Sequence, residues 1–133
     1  MNRLNKFLYP NLSYKLVGAI YNVRNIYGFG QKELVYQKAL AEELDELNIP
    51  YNREVSIAIK SVKTNRTLGN YKLDFVVNGK IIVEAKAVKF TPAKIEQQLY
   101  SYLRSTPYMV GYLVNFGSTK LYIKRVILTD NYK

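Results

Sequence analysis

The sequence predicts an α/β (α+β) domain in which a mixed five-stranded sheet is flanked by helices, in the order α-α-β-β-β-α-β-β. Two observations carry this. Apolar residues recur at three and four positions up to about residue 47, and from Arg53 the period changes to two. A single helical stretch, 93–105, then interrupts the strand pattern, which suits a mixed sheet flanked by helices.

The first helix is expected over 12–27. Ser13 is its candidate cap, and Leu16, Val17, Ile20, Val23 and Tyr27 form one stripe. Gly28-Phe-Gly30 breaks it. A second helix is expected from 31 to 47, with Leu34, Tyr36, Ala39, Leu40, Leu44 and Leu47 inward and Glu42, Glu43, Asp45 and Glu46 outward; Asn48-Ile-Pro50 stops it. Val55, Ile57 and Ile59 then alternate with Glu54, Ser56, Ala58 and Lys60, the pattern of an antiparallel strand with one wet face. After the polar turn 64–69, strands are expected over 70–77 and 80–87, joined at Asn78-Gly79. Thr91 and Pro92 suit the cap and first turn of the third helix, whose stripe is Ile95, Leu99, Tyr102 and Leu103. Two strands, 109–115 and 119–128, complete the chain.

The expectation is one domain over 1–133, with 1–11 as an N-terminal extension. No apolar run nears the ~20 residues that span a bilayer, and no secretory signal is apparent, so a cytoplasmic protein without membrane contact is expected. The chain contains no cysteine and no histidine, which excludes disulfides, thiolate or imidazole metal sites, cysteine nucleophiles and Ser-His-Asp chemistry. An enzyme built from this alphabet works with carboxylates, lysine, tyrosine, hydroxyls and a hard metal ion. Lys and Arg number 20 against 10 Asp and Glu, a formal charge of +10. That excess attracts polyanions, although a merely basic soluble surface would look the same.

Charge is used oddly in the Asn78-Gly79 hairpin. Asp74 interrupts an apolar strand, and Glu84 and Lys86 lie two residues apart at the end of the next. A two-residue turn, which Asn-Gly favours, would put Asp74 and Glu84 on opposite faces. Leu73, Phe75 and Val77 should nevertheless share a core face with Ile81, Val83 and Ala85. Only a pairing of even parity allows that, as with a three-residue loop and a bulge at Gly79. The same parity brings Asp74, Glu84 and Lys86 together. Two adjacent carboxylates supply hard oxygen ligands for Mg²⁺, and the lysine beside them is a group that can position water. They are equally a surface acid and an ordinary Glu–Lys pair. Glu33, at the start of the second helix, reads as an acid opposing the helix dipole or as a further carboxylate aimed at the sheet.

The chain resembles a known family over about residues 9–128. Leu73-Asp74 with Glu84-Ala-Lys86 resembles the PD-(D/E)XK nuclease core, with Leu73 where proline is familiar. Gly30-Gln-Lys-Glu33-Leu-Val-Tyr36 is similar to the signature of the GxxExxY proteins within that superfamily. The resemblance implies a restriction-endonuclease-like fold and a Mg²⁺-dependent nuclease, with Mn²⁺ as substitute. It further implies Asp74 and Glu84 as metal ligands supplemented by Glu33, Lys86 as the catalytic lysine, and Gln98 as a helix-borne glutamine, with Gln97 beside it. DNA is the favoured polymer. Lys72, Lys89, Lys94, Lys124 and Arg125, with Lys60, Lys63, Arg66 and Lys120, are candidates for backbone contacts. A core this small covers little duplex, so a homodimer is one expectation. The alternative reading is a binding module that keeps the fold without turnover.

Overall fold

The computed structural model describes residues 7–91 and 93–133. Its elements are α1 (Pro10–Tyr27), α2 (Glu33–Glu46), β1 (Tyr51–Lys60), β2 (Thr67–Val77), β3 (Ile81–Lys86), α3 (Ala93–Arg104), β4 (Val110–Asn115) and β5 (Tyr122–Ile127), followed by a 3₁₀ turn, Asp130–Tyr132. The sheet runs β1-β2-β3-β4-β5. Only β3 and β4 are parallel, and α3 is the crossover that joins them. One core cluster joins α1 and α2 to Phe75, Val77, Val83 and Val114. A second joins α3 to Leu73, Ile82, Leu113 and Val126. The sheet is thus covered on both faces, and β4 is buried along its whole length. Among the described residues no helix is long and apolar enough to cross a membrane.

Several local expectations change. Ser13 does not cap α1: Pro10 opens that helix with its fixed φ, and the Ser13 side chain is buried within it. On α2 the buried residues are Tyr36, Gln37, Ala39, Leu40, Ala41 and Leu44, whereas Leu34 and Leu47 are exposed. Leu34 lies two residues before Tyr36 and so falls on the far side of the helix, and Leu47 lies beyond its last turn. The Thr91 hydroxyl accepts a hydrogen bond from Asn115 Nδ2 at 2.8 Å; Pro92 lies outside the described residues. The stretch read as an extension is partly fastened, because Arg125 donates to the Leu8 carbonyl at 2.7 Å and stacks 3.8 Å over Phe7.

The hairpin has the expected parity. Val77 pairs with Ile81 and Phe75 with Val83, across a loop of Asn78, Gly79 and Lys80. The Asn-Gly dipeptide still forms its tight turn, with φ of 51° and 64° and Lys80 N–H donating to the Val77 carbonyl at 3.0 Å. The third loop residue, Lys80, restores even parity. Leu73 departs from the expectation by packing on the α3 side, away from Phe75 and Val77. The cause lies in β1, where Glu54 has φ 51° and the Glu54/Asp74 position drops out of the β1–β2 ladder. Beyond that kink Val55, Ile57 and Leu73 all pack toward α3.

Candidate active site at the splayed end of the hairpin

The β2–β3 ladder ends at Phe75 and Val83, because β2 follows β1 while β3 stays with β4. Divergence of two strands strands backbone donors that burial makes costly. Here the two carboxylates serve as the missing acceptors. Asp74 N–H donates to Glu84 Oε2 and Ala85 N–H donates to Asp74 Oδ2, each at 2.9 Å. Each acid therefore bridges to the other's strand. Glu84 is only 3% exposed. Asp74 Oδ1 and Glu84 Oε1 accept no hydrogen bond among the described residues, and neither is a fully buried, unpartnered atom.

Burial, and then the charge of Asp74, push the Glu84 carboxyl up to about 8; the Asp74 N–H and Lys86 oppose the shift. Asp74 is raised as well, again chiefly by burial, against the Ala85 N–H and the Lys86 charge. Tyr102, on α3, is pushed up to about 12 by burial and by Glu84. Lys86 shares the sheet face of Glu84 and Ile82 and makes no ion pair among the described residues, so both carboxylates sense its charge without being neutralised by it.

Glu33 comes to the same place from the first turn of α2. Its Oε1 accepts from Ala87 N–H at 3.2 Å, and its charge raises both Asp74 and Glu84. The loop before it is shaped by Tyr36, whose hydroxyl donates to the Gly28 carbonyl at 2.8 Å and accepts from Gln31 N–H at 3.1 Å. The Tyr36 ring stacks on Phe116 with centroids 4.7 Å apart. Gly30, at φ 102°, supplies a backbone turn that side chains disfavour. The spacing of Gly30, Glu33 and Tyr36 thus has a mechanical reason: the tyrosine clamps the loop from which the glutamate is presented.

Asn115 and Gly117 clamp the other side. Asn115 Oδ1 accepts from Val88 N–H at 3.0 Å and from Gly117 N–H at 2.9 Å. A Cβ on Gly117 would lie 2.5 Å from Val88 N and 2.6 Å from the Ala87 carbonyl carbon, both backbone atoms that cannot yield cheaply. Gly117→Ala is therefore expected to cost about 1–3 kcal/mol in chemical denaturation, with displacement of the segment that Glu33 holds. Wild-type stability in this variant would refute the close approach.

The other assigned residues make no hydrogen bond or ion pair with the carboxylates among the described residues. Gln98 and Gln97 are exposed and make no hydrogen bond among the described residues; Gln98 sits one turn before Tyr102. Lys89, Lys94 and Lys124 are exposed, and Lys124 shares the α3-side face with Val126. Lys72 is exposed and lies 3.9 Å from Glu54. Arg125 points the other way. Its Nε–H donates to the Tyr112 hydroxyl at 3.0 Å, and with the Leu8 and Phe7 contacts its guanidinium is consumed inside the molecule. Sequence reading missed Arg53 and Gln37. Arg53 lowers the Asp74 carboxyl and donates to Gln37 Oε1 at 3.4 Å, while Gln37 Nε2 donates to the Ala85 carbonyl at 3.0 Å. Gln37 directly follows Tyr36 on the buried side of α2, which was its one available signal. A groove of about 620 Å³ between α1 and α2, lined by Tyr14, Tyr21, Glu43 and Leu47 among others, contains none of the site residues.

No group of three or more acids is gathered tightly enough to enclose a metal among the described residues. The donor set is a pair, each member with one uncommitted oxygen and each made costly as an anion by burial. It fits a hard ion that keeps much of its water, Mg²⁺ above all. The sheet with its crossover helix and this carboxylate pair define a class that the family comparison identifies: a model of the PD-(D/E)XK nuclease superfamily matches residues 10–126, and the chain belongs to that superfamily. Its members are nucleases that typically use divalent ions, so membership implies nucleic acid as the substrate class. No curated protein and no solved structure matches the chain.

Proposed function

We propose that the protein hydrolyses phosphodiester bonds in nucleic acid, DNA by preference, using Mg²⁺ or Mn²⁺, and that it belongs to the GxxExxY group within its superfamily. The observation that carries this reading is the reciprocal bonding of Asp74 and Glu84 across the splayed strands, which leaves two carboxylate oxygens uncommitted beside Lys86. Asp74 and Glu84 would hold the ion, with Glu33 supplementing them. Bound there, the ion would supply Lewis-acid chemistry, polarising the scissile phosphate and making a nearby water easier to deprotonate.

The chain's own groups do the rest. Without a cation, Glu84 keeps a proton near neutral pH, so the pair carries less charge than its two acids suggest. Lys86 orients the attacking water and stabilises charge on the phosphate oxygens. Gln98, uncommitted on α3, supports the water or the phosphate. Lys89, Lys94 and Lys124 hold the backbone with little sequence selectivity.

Purified protein should cut single-stranded, duplex or branched DNA in Mg²⁺ or Mn²⁺ and stop in EDTA. Lys86→Ala should lower kcat by on the order of a hundredfold with binding in EDTA unchanged. If neither ion supports cutting of any of these substrates, or of RNA, the catalytic reading fails.

A further inference from the structure

We infer that the outer half of the β1–β2 hairpin is an arm that enters the groove of a duplex and gives this nuclease a preference for double-stranded substrate. The inference rests on the proposed function and extends it to a substrate class.

From Ala58 to Asn70 no side chain belongs to either core cluster. This part of the ribbon therefore packs into neither core. Between Val55 and Leu73 there is no acidic residue, while Lys60, Lys63, Arg66 and Lys72 are all exposed. At the tip Val62 is fully exposed and Leu68 is 71% exposed. An unsupported tip would ordinarily be loose, but this one is bonded to itself. Ser61 Oγ accepts from the N–H groups of Lys63 and Thr64, both at 3.1 Å. Ser61 N–H donates to the Arg66 carbonyl at 2.8 Å, and Lys60 Nζ donates to Thr67 Oγ1 at 3.0 Å. The arm is pre-ordered, so little entropy is lost when it binds.

A two-stranded ribbon fits the major groove, which is ≈ 12 Å wide. Its cations meet phosphates at the rims, and Val62 leads into the groove, where a thymine methyl offers apolar contact. The arm also has a fixed relation to the chemistry. β2 carries Asp74 at the kink and runs without a break from Thr67. At ~3.3 Å per residue the base of the tip lies ~23 Å from Asp74. That span corresponds to roughly 7 base pairs of duplex.

The test uses the full chain with Lys60, Lys63 and Arg66 replaced together by serine, and separately Val62→Ser. Binding is measured by fluorescence anisotropy without divalent ions, on a duplex of about two helical turns and on a single strand of equal length. The triple variant should lower the duplex-to-single-strand affinity ratio about tenfold and reduce the salt slope for duplex by about three. Val62→Ser should lower the ratio without changing the slope. Unchanged duplex affinity, an equal loss on both polymers, or a change in sedimenting mass that assigns the arm to a second copy of the chain would overturn the inference. Asp74→Asn, run in parallel, should lose cutting and keep the arm-dependent ratio. A wild-type protein that cuts nothing would sink the catalytic reading, while the binding ratio would still decide the arm.

Discussion

Asp74→Asn should reduce hydrolysis by on the order of a thousandfold and leave the ion-free protein more stable than wild type. On the proposed mechanism, the loss follows from removing one of the carboxylates that would hold an ion supplying several kcal/mol of transition-state stabilisation. The gain has a different origin. Asp74 is an acid that burial disfavours as an anion, and its charge is the second cause of the raised Glu84 carboxyl. Asparagine keeps an oxygen to accept from Ala85 N–H, so the bond at 2.9 Å that closes the splayed strands survives. At pH 8 in EDTA the variant should therefore unfold a few degrees higher, for on the order of 1 kcal/mol. A variant that is inactive and also markedly less stable would mean that Asp74 serves the fold and not the ion.

The second expectation concerns pH. In the folded protein Glu84 titrates at about 8 against an ordinary 4.5. Between those values the native state binds more protons than the unfolded chain, so stability falls as pH rises through that window. Asp74, raised in the same sense, adds to the slope. In EDTA the melting temperature should drop from pH 5.5 to pH 8.5, reflecting a loss of stability on the order of a few kcal/mol at most. Mn²⁺ should reverse the drop, because a bound cation takes the place of the proton and stabilises only the folded state. Glu84→Gln should flatten the curve and remove the response to Mn²⁺. No histidine titrates in this range, because the chain has none, so the slope reports on the carboxylates with little interference. A melting temperature that is level or rising from pH 5.5 to 8.5 in EDTA would contradict the electrostatics of the pair.

The sheet and helices were legible because apolar spacing changes once, at Arg53, and returns to the helical period once, at 93–105. The juxtaposition of Asp74 and Glu84 was legible for a sharper reason. The apolar residues of two strands had to face one core, and that parity also aligned the charges. Leu73 escaped the same logic because a positive φ at Glu54, on another strand, rotates the ladder beside it. Nothing in an apolar/polar pattern announces such a kink.

Long-range partners were the other blind spot. Arg125 counts as one more basic residue until the fold brings Leu8 and Phe7 to it. Arg53 and Gln37 acquire meaning only when α2 is laid over the end of β3. Glu33 is instructive in the opposite direction. As an acid in the first turn it needed no explanation beyond the helix dipole. Its bond to Ala87 N–H and the clamp that Tyr36 places on the preceding loop give it a second one.

The most direct test of the account is anomalous diffraction from crystals soaked in Mn²⁺. A single peak bridging Asp74 and Glu84 on their uncommitted oxygens, with Lys86 facing it and Glu33 within reach through water, is the predicted result. Mn²⁺ bound elsewhere or not at all, with both carboxylates still tied only to the Asp74 and Ala85 N–H groups, would contradict it.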